Sequence, residues 1–209
     1  MEELDKVLQA LNVVERYEEY LFRKVWGRVL IIIGIVFPLG ALINMNAVAV
    51  GGAIGLDAGL VSLLSSVIAF VLCTGFIAYS FFESWRTVDT STKESSDDTW
   101  HGPLIGAVWF ISFILTGLAP ASLQLVSILW AASISCVLTF LILRIVGSHG
   151  RALILFYLGI SLGLISFPLL LISDTVLLGY VAVLGFSVCF ILAGAAMNRM
   201  AAKMLRKSD

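Results

Sequence analysis

Residues 29–47 read VLIIIGIVFPLGALINMNA, nineteen positions without a charged side chain, directly after Arg23-Lys24-Val25-Trp26-Gly27-Arg28. A run of about twenty apolar residues is what a helix needs to cross the hydrocarbon of a bilayer. Working outward, comparable runs recur at about Gly59–Phe82, Pro103–Leu118, Leu123–Val146, Ala152–Ile172 and Val176–Met197. All thirteen Lys and Arg residues sit at or beyond alternate ends of these runs. They are Lys6, Arg16, Arg23, Lys24 and Arg28 before the first, and Arg86 and Lys93 between the second and third. Arg144 and Arg151 flank the break between the fourth and fifth, and Arg199, Lys203, Arg206 and Lys207 close the chain. Short basic loops stay on the cytoplasmic side. The expected fold is therefore an all-α polytopic integral membrane protein of the cell membrane. It has six transmembrane helices as three antiparallel hairpins, both termini cytoplasmic, and an N-terminal amphipathic cytoplasmic helix over residues 1–26. Residues 27–209 form the membrane domain, with an inner loop at 83–102 and a C-terminal tail at 198–209.

Composition supports lipid as the solvent. The 209 residues are 60% hydrophobic and 13% charged, against about a quarter charged in soluble domains. A net charge of −1 argues against nucleic acid, which selects a basic face. Cys73, Cys136 and Cys189 lie inside apolar runs with no C-x-x-C spacing, and read as small buried hydrophobes. The first span acts as its own insertion signal, since no cleavable apolar leader precedes it.

The outer turns at 119–122 and 173–175 are very short, so the helices they join form tight antiparallel pairs. The first hairpin has about ten extra residues, 48–57, too apolar for an ordinary exposed loop. They extend the second helix, lie in the interface, or dip back into protein, the only setting for irregular backbone at membrane depth. Ile35-Val-Phe-Pro-Leu39 echoes Ile165-Ser-Phe-Pro-Leu169, and each second helix of a pair carries one cysteine, a pattern consistent with hairpin triplication or with chance in an apolar alphabet. The inner loop is rich in Ser, Thr and Asp, which favour turns, and is bracketed by Trp85 and Trp100, residues suited to the membrane interface. It reads as a connector or as a docking surface for a cytoplasmic partner.

Within residues 3–26, Leu4, Val7, Leu8, Leu11, Val14, Tyr17, Leu21 and Val25 form one helical stripe. Through Phe22 there are six acids against two bases, whereas a helix adsorbed to an anionic leaflet presents Lys and Arg. The stripe is thus expected to pack on protein, either as an in-plane elbow on its own bundle or between molecules. The candidate docking residues are Leu4, Leu8, Leu11, Tyr17, Trp85, Arg86 and Trp100.

Catalytic constellations are missing from the sequence. His101 and His149 lie in different loops without ligand-spaced partners, and no HExxH, Cys/His cluster or phosphate-binding Gly-rich loop occurs. The span interiors carry no carboxylate, His or Lys, the residues that mark proton relays and ion-coupled pumps. No catalytic residue, cofactor or metal ligand is assigned, and the chain is read as not an enzyme. On the outer side the charges are Asp57 and Asp174. Asp57 sits within Ala47, Gly51, Gly55 and Gly59, spaced by four, with Asn44 and Asn46 just before. On a helix that spacing makes one smooth strip where backbones can touch. Asn44, Asn46, Gly51, Gly55, Asp57, Gly59 and Asp174 therefore outline either a polar outer vestibule or a packing seam. Gly159-x-x-x-Gly163 with Gly179, Gly185 and Gly194 reads as helix packing, and Gln124, Ser127, Ser133, Ser135 and Thr139 give the fourth span polar handles.

The functional expectation is a small transport or permease-like subunit without its own catalytic centre, in layout similar to half-size permeases driven by a cytoplasmic ATPase. The alternative is a structural or regulatory subunit of a larger membrane complex, or a lone channel or lipid-binding protein. Expected partners are the bilayer, a homo- or hetero-oligomer, and a cytoplasmic or membrane protein.

Overall fold

A computed structural model describes residues 2–88, 101–116, 118–119, 123–145 and 152–206, with side chains beginning at Tyr17 and omitting 18, 77–78, 81–88, 101–102, 124–125 and 205–206. Every regular element among these residues is helical: α1 Glu2–Met45, α2 Ala47–Ile54, α3 Ala58–Val88, α4 His101–Thr116, α5 Gln124–Ile145, α6 Leu153–Leu169 and α7 Thr175–Arg206.

Four of these carry a segment long and apolar enough to cross a membrane: Glu19–Met45, Ala58–Phe76, Val126–Ile145 and Thr175–Met204. The chain is thus built as a multi-pass membrane protein. The third and fifth expected spans are shorter as helices. α4 has 16 residues and α6 has 17, about 24 and 26 Å at 1.5 Å per residue. α6 ends at Leu169, one residue past Pro168, and Leu170, Leu171 and Ile172 then turn tightly through bonds to the Phe167, Pro168 and Leu169 carbonyls at 3.1 Å.

Three expected boundaries move. No break in helical backbone separates residues 2–26 from the first span; α1 is one helix of 44 residues. α3 continues to Val88, taking Glu83–Val88 out of the expected inner loop. α7 continues to Arg206, and residues 198–206, expected as a tail, are helical. The part of this extension next to α1 is packed: Ala201 is buried and Arg23 Nη1 donates to Met200 Sδ at 3.1 Å. The seam that α7 shares with α1 accounts for this extension.

α1 packs between α7 and α3; α7 also meets α6 and α5, and α5 meets α6 and α4. The α1 pairs are antiparallel, since Arg23, Gly34 and Asn46 face Met200, Ser187 and Tyr180, while Asn44 and Gly40 face Ser65 and Ala69. α5 and α6 are antiparallel by the same criterion, through Trp130 with Ser166 and Phe140 with Phe156. The core is apolar and centred on Leu30, Leu129, Leu155, Leu162, Phe190 and Met197.

Candidate functional site

The residues expected at the outer end resolve into separate structural jobs. Asn44 and Asn46 close α1 and reach to opposite flanks. Asn44 Nδ2 donates to Ser66 Oγ at 2.9 Å and its Oδ1 accepts from Ser65 Oγ at 2.8 Å, joining α1 to α3. Asn46 Oδ1 accepts from the Tyr180 hydroxyl at 3.0 Å, joining α1 to α7, while its Nδ2 donates to the Leu42 carbonyl. Apart from the Asn46 Nδ2 bond to its own helix, these groups are used between helices.

Asp57 and Asp174 share one geometry. Asp57 Oδ1 accepts from the N–H groups of Gly59 and Leu60 at 2.8 and 3.2 Å. Asp174 Oδ1 accepts from Val176 and Leu177 at 2.9 and 3.2 Å. Each satisfies the orphan donors of its own helix, α3 and α7 respectively, and its negative charge complements the helix N-terminus.

The spaced ladder is not one strip. Ala47 and Gly51 are on α2, Gly55 is its left-handed cap at φ 74°, and Gly59 lies in the first turn of α3. Each small residue has its own local cause. A Cβ on Gly51 would stand 2.5 Å from the Leu56 carbonyl oxygen, whose chain folds back there as the Leu56 N–H bonds the Gly51 carbonyl at 2.9 Å. Gly55 takes the positive φ that only glycine adopts freely. A Cβ on Gly59 would meet Asp57 Oδ1 at 2.9 Å. The residues after the first span therefore form a short separate helix against α3, with Val48, Ile54 and Leu56 exposed.

At the bundle centre, Pro38 removes the N–H that would bond the Gly34 carbonyl four residues back. The Ser187 hydroxyl of α7 donates to that carbonyl at 2.6 Å, so a neighbouring helix satisfies the gap. Beside it runs a ladder of rings. Trp109 stacks on Phe113 at 6.0 Å, Phe113 meets Phe37 at 6.1 Å, Phe37 meets Phe186 at 5.2 Å, and Phe186 stacks on Phe190 at 4.2 Å. It ties α4 to α1 and α7, and Trp109 Nε1 donates to Thr139 of α5 at 3.0 Å. A void of about 20 Å³ between Pro38, Ala41, Leu129 and Ala182 is lined by apolar side chains and has room for about one water.

The α5·α6 seam uses the handles foreseen on the fourth span. Ser133 Oγ donates to the Gly159 carbonyl at 2.7 Å, and a Cβ on Gly159 would meet the Ser133 carbonyl at 2.8 Å. Trp130 Nε1 donates to Ser166 Oγ at 2.6 Å. Ser135, fully buried, has no partner for its hydroxyl among the described residues.

Of the docking candidates, Tyr17 is 46% exposed, with its ring 6.3 Å from Tyr20. Leu4, Leu8, Leu11, Trp85 and Arg86 have helical backbones, and their side chains, with all of Trp100, lie outside the described residues. Arg23 pairs with Glu19 one turn earlier.

Sequence reasoning overlooked the α1·α7 seam. Its signal was a spacing of seven: Gly27, Gly34 and Ala41 on one helix, and Tyr180, Ser187, Gly194 and Ala201 on the other. A Cβ on Gly194 would lie 2.5 Å from the Gly27 carbonyl, and one on Gly34 2.9 Å from Phe190 Cβ. Compared with known proteins, the chain matches no family model, and neither curated sequences nor solved structures give a match.

Proposed function

We propose that this chain is a non-catalytic multi-pass subunit of a larger membrane assembly, with structural or regulatory work ahead of autonomous permeation. The observation that carries the reading is the ring ladder from Trp109 to Phe190. It occupies the junction of α1, α4 and α7, beside a void of about 20 Å³. The asparagines and carboxylates of the outer end are likewise spent on joinery and caps. Transport by this reading needs a path shared with partner subunits, as in the permease-like layout.

In the same proposal α4 and α6 cross as well, giving six spans in the cell membrane. A span of 17 residues is at the short limit and is accommodated by local thinning of the bilayer. The start of α1 and the end of α7 lie at one end with Arg28, Arg144 and Arg199, which the positive-inside rule assigns to the cytoplasm. α3 supplies contact surface: Leu63, Val67, Phe70 and Val71 are exposed along it.

The test is purification in mild detergent at native expression, with mass spectrometry of what remains bound. A stoichiometric membrane or ATPase partner is expected. A lone chain that conducts ions or solutes in proteoliposomes would overturn the assembly reading. A cysteine replacing Asp174 should label from outside only; labelling from the cytoplasm alone would overturn the topology.

A further inference from the structure

We infer that the groove between α6 and α7 holds one anionic phospholipid, its acyl chain in the groove and its phosphate on Arg199 and Lys203. The groove is about 320 Å³ and is walled by Ile154, Tyr157 and Leu158 of α6 and by Cys189, Leu192 and Ala193 of α7, with Ser161 and Ala196 completing it. It opens because α6 leans on α5, where Gly159 and Ser133 draw the backbones together. Its walls are mostly apolar, with the Tyr157 and Ser161 hydroxyls as the polar exceptions, which suits a hydrocarbon chain better than a charged ligand.

Charge complementarity identifies the headgroup. Ala196 is the last groove residue on α7, and Arg199 and Lys203 follow it at three and seven residues. Those spacings keep them on the same helix face, about 4.5 and 10 Å further along the axis at 1.5 Å per residue. Both side chains are exposed, and neither forms an ion pair among the described residues. Arg23, by contrast, is committed to Glu19 and Met200. A basic pair at the mouth of an interhelical groove is the arrangement that selects anionic lipid headgroups, and an arginine fork matches two phosphate oxygens. A zwitterionic lipid offers the same chain and phosphate, but its ammonium offsets the attraction. The site is therefore selective by charge and retentive by the chain.

The inference is independent of the assembly proposal, since a lone chain would carry the same groove. The test is native mass spectrometry of the full chain in detergent, titrated with dioleoyl phosphatidylglycerol or dioleoyl phosphatidylcholine. One tightly retained phosphatidylglycerol is expected, with at least about tenfold weaker retention of phosphatidylcholine, since each tenfold step is 1.4 kcal/mol. Arg199→Gln with Lys203→Gln should remove the preference while leaving weak retention of both lipids. Ala193→Trp should block the chain and remove tight retention, with helical content unchanged by circular dichroism. A tenfold molar excess of inorganic phosphate should not displace the lipid. Equal retention of the two lipids by the native chain would overturn the inference. So would a preference that survives the double charge variant, or displacement by phosphate alone. Should Ala193→Trp fail to fold, the charge variant decides alone.

Discussion

α7 and α3 are both long apolar helices, and the chain treats them differently. A third of the α7 span is buried, 33%, against 17% for α3. Lipid tails are as apolar as leucine, so hydrophobicity cannot decide which helix is covered. What differs is small residues and hydrogen bonds. α7 offers Gly194 to α1 and Gly185 to Ile165 of α6, and bonds α1 through Tyr180 and Ser187. α3 touches α1 through Ala69 and the Ser65–Asn44–Ser66 bonds, and then presents Phe70, Val71 and Tyr79 outward. Its Gly75 has open space where a Cβ would stand. Apolar surface in this molecule says which segments enter the bilayer; close approach says which of them become core.

The largest expected effect tests that contrast with one substitution type at two places. Gly194→Ala puts a methyl 2.5 Å from the Gly27 carbonyl and 3.0 Å from the Ile31 amide nitrogen, both backbone atoms that cannot swing aside. The helices must separate, at a cost of about 3 kcal/mol by the overpacking scale. Gly75→Ala meets nothing and should fall within about 0.5 kcal/mol. The unfolded chain in a bilayer is already helical, so helix propensity adds little to the difference. Unfolding in increasing dodecyl sulfate, followed by circular dichroism, checks both. Equal costs would mean that α3 is as tightly packed as α7 and would break the comparison.

A smaller effect sharpens it at the kink. Ser187→Ala leaves the Gly34 carbonyl without its donor, because Pro38 has none to give. The expected loss is about 1–2 kcal/mol, the range for interhelical bonds in membranes. Pro38→Ala restores an N–H four residues from that carbonyl, so Ser187→Ala on that background should cost less than half as much. A double-mutant cycle in the same unfolding assay measures the coupling. Additive costs would mean the hydroxyl and the proline act separately.

The membrane-inserted, all-helical character was legible from charge placement and run length, because those are one-dimensional properties. So were most helix ends: the α5 and α7 starts fall within a residue of the expected ones. Lengths at the end where α1 begins and α7 finishes were not. Reading Arg199 and Lys203 as a tail assumed that polarity ends a helix, but α7 keeps its contact with α1 past that point, with Met200 against Arg23 and Ala201 buried, and runs on to Arg206. The Gly51–Gly55–Gly59 ladder misled for a related reason. Spacing of four implies one face only while the helix continues, and the positive φ at Gly55 breaks it. The ring ladder was unreadable, since its five members come from three helices; the i,i+4 pairs Trp109/Phe113 and Phe186/Phe190 are visible in sequence, but partner choice between helices is a property of the packed bundle.

The smallest effect concerns the carboxylates of Asp57 and Asp174, which separate a ligand site from two caps. If Asp57 is a cap, Asp57→Ala costs about 1 kcal/mol, and Asp57→Asn recovers most of it, because an amide oxygen accepts the same two N–H bonds without a charge. Asp174→Ala and Asp174→Asn should repeat the pattern at α7, since the two geometries match within 0.1 Å. A cation-binding vestibule gives a different signature: Asn would fail as badly as Ala, the two positions would not behave alike, and added divalent cation would stabilise the native protein against dodecyl sulfate. Matched rescue at both positions leaves this end of the bundle as the place where α3 and α7 begin. Asymmetry between them would move the search for a ligand back to Asp57 and the short α2 helix beside it.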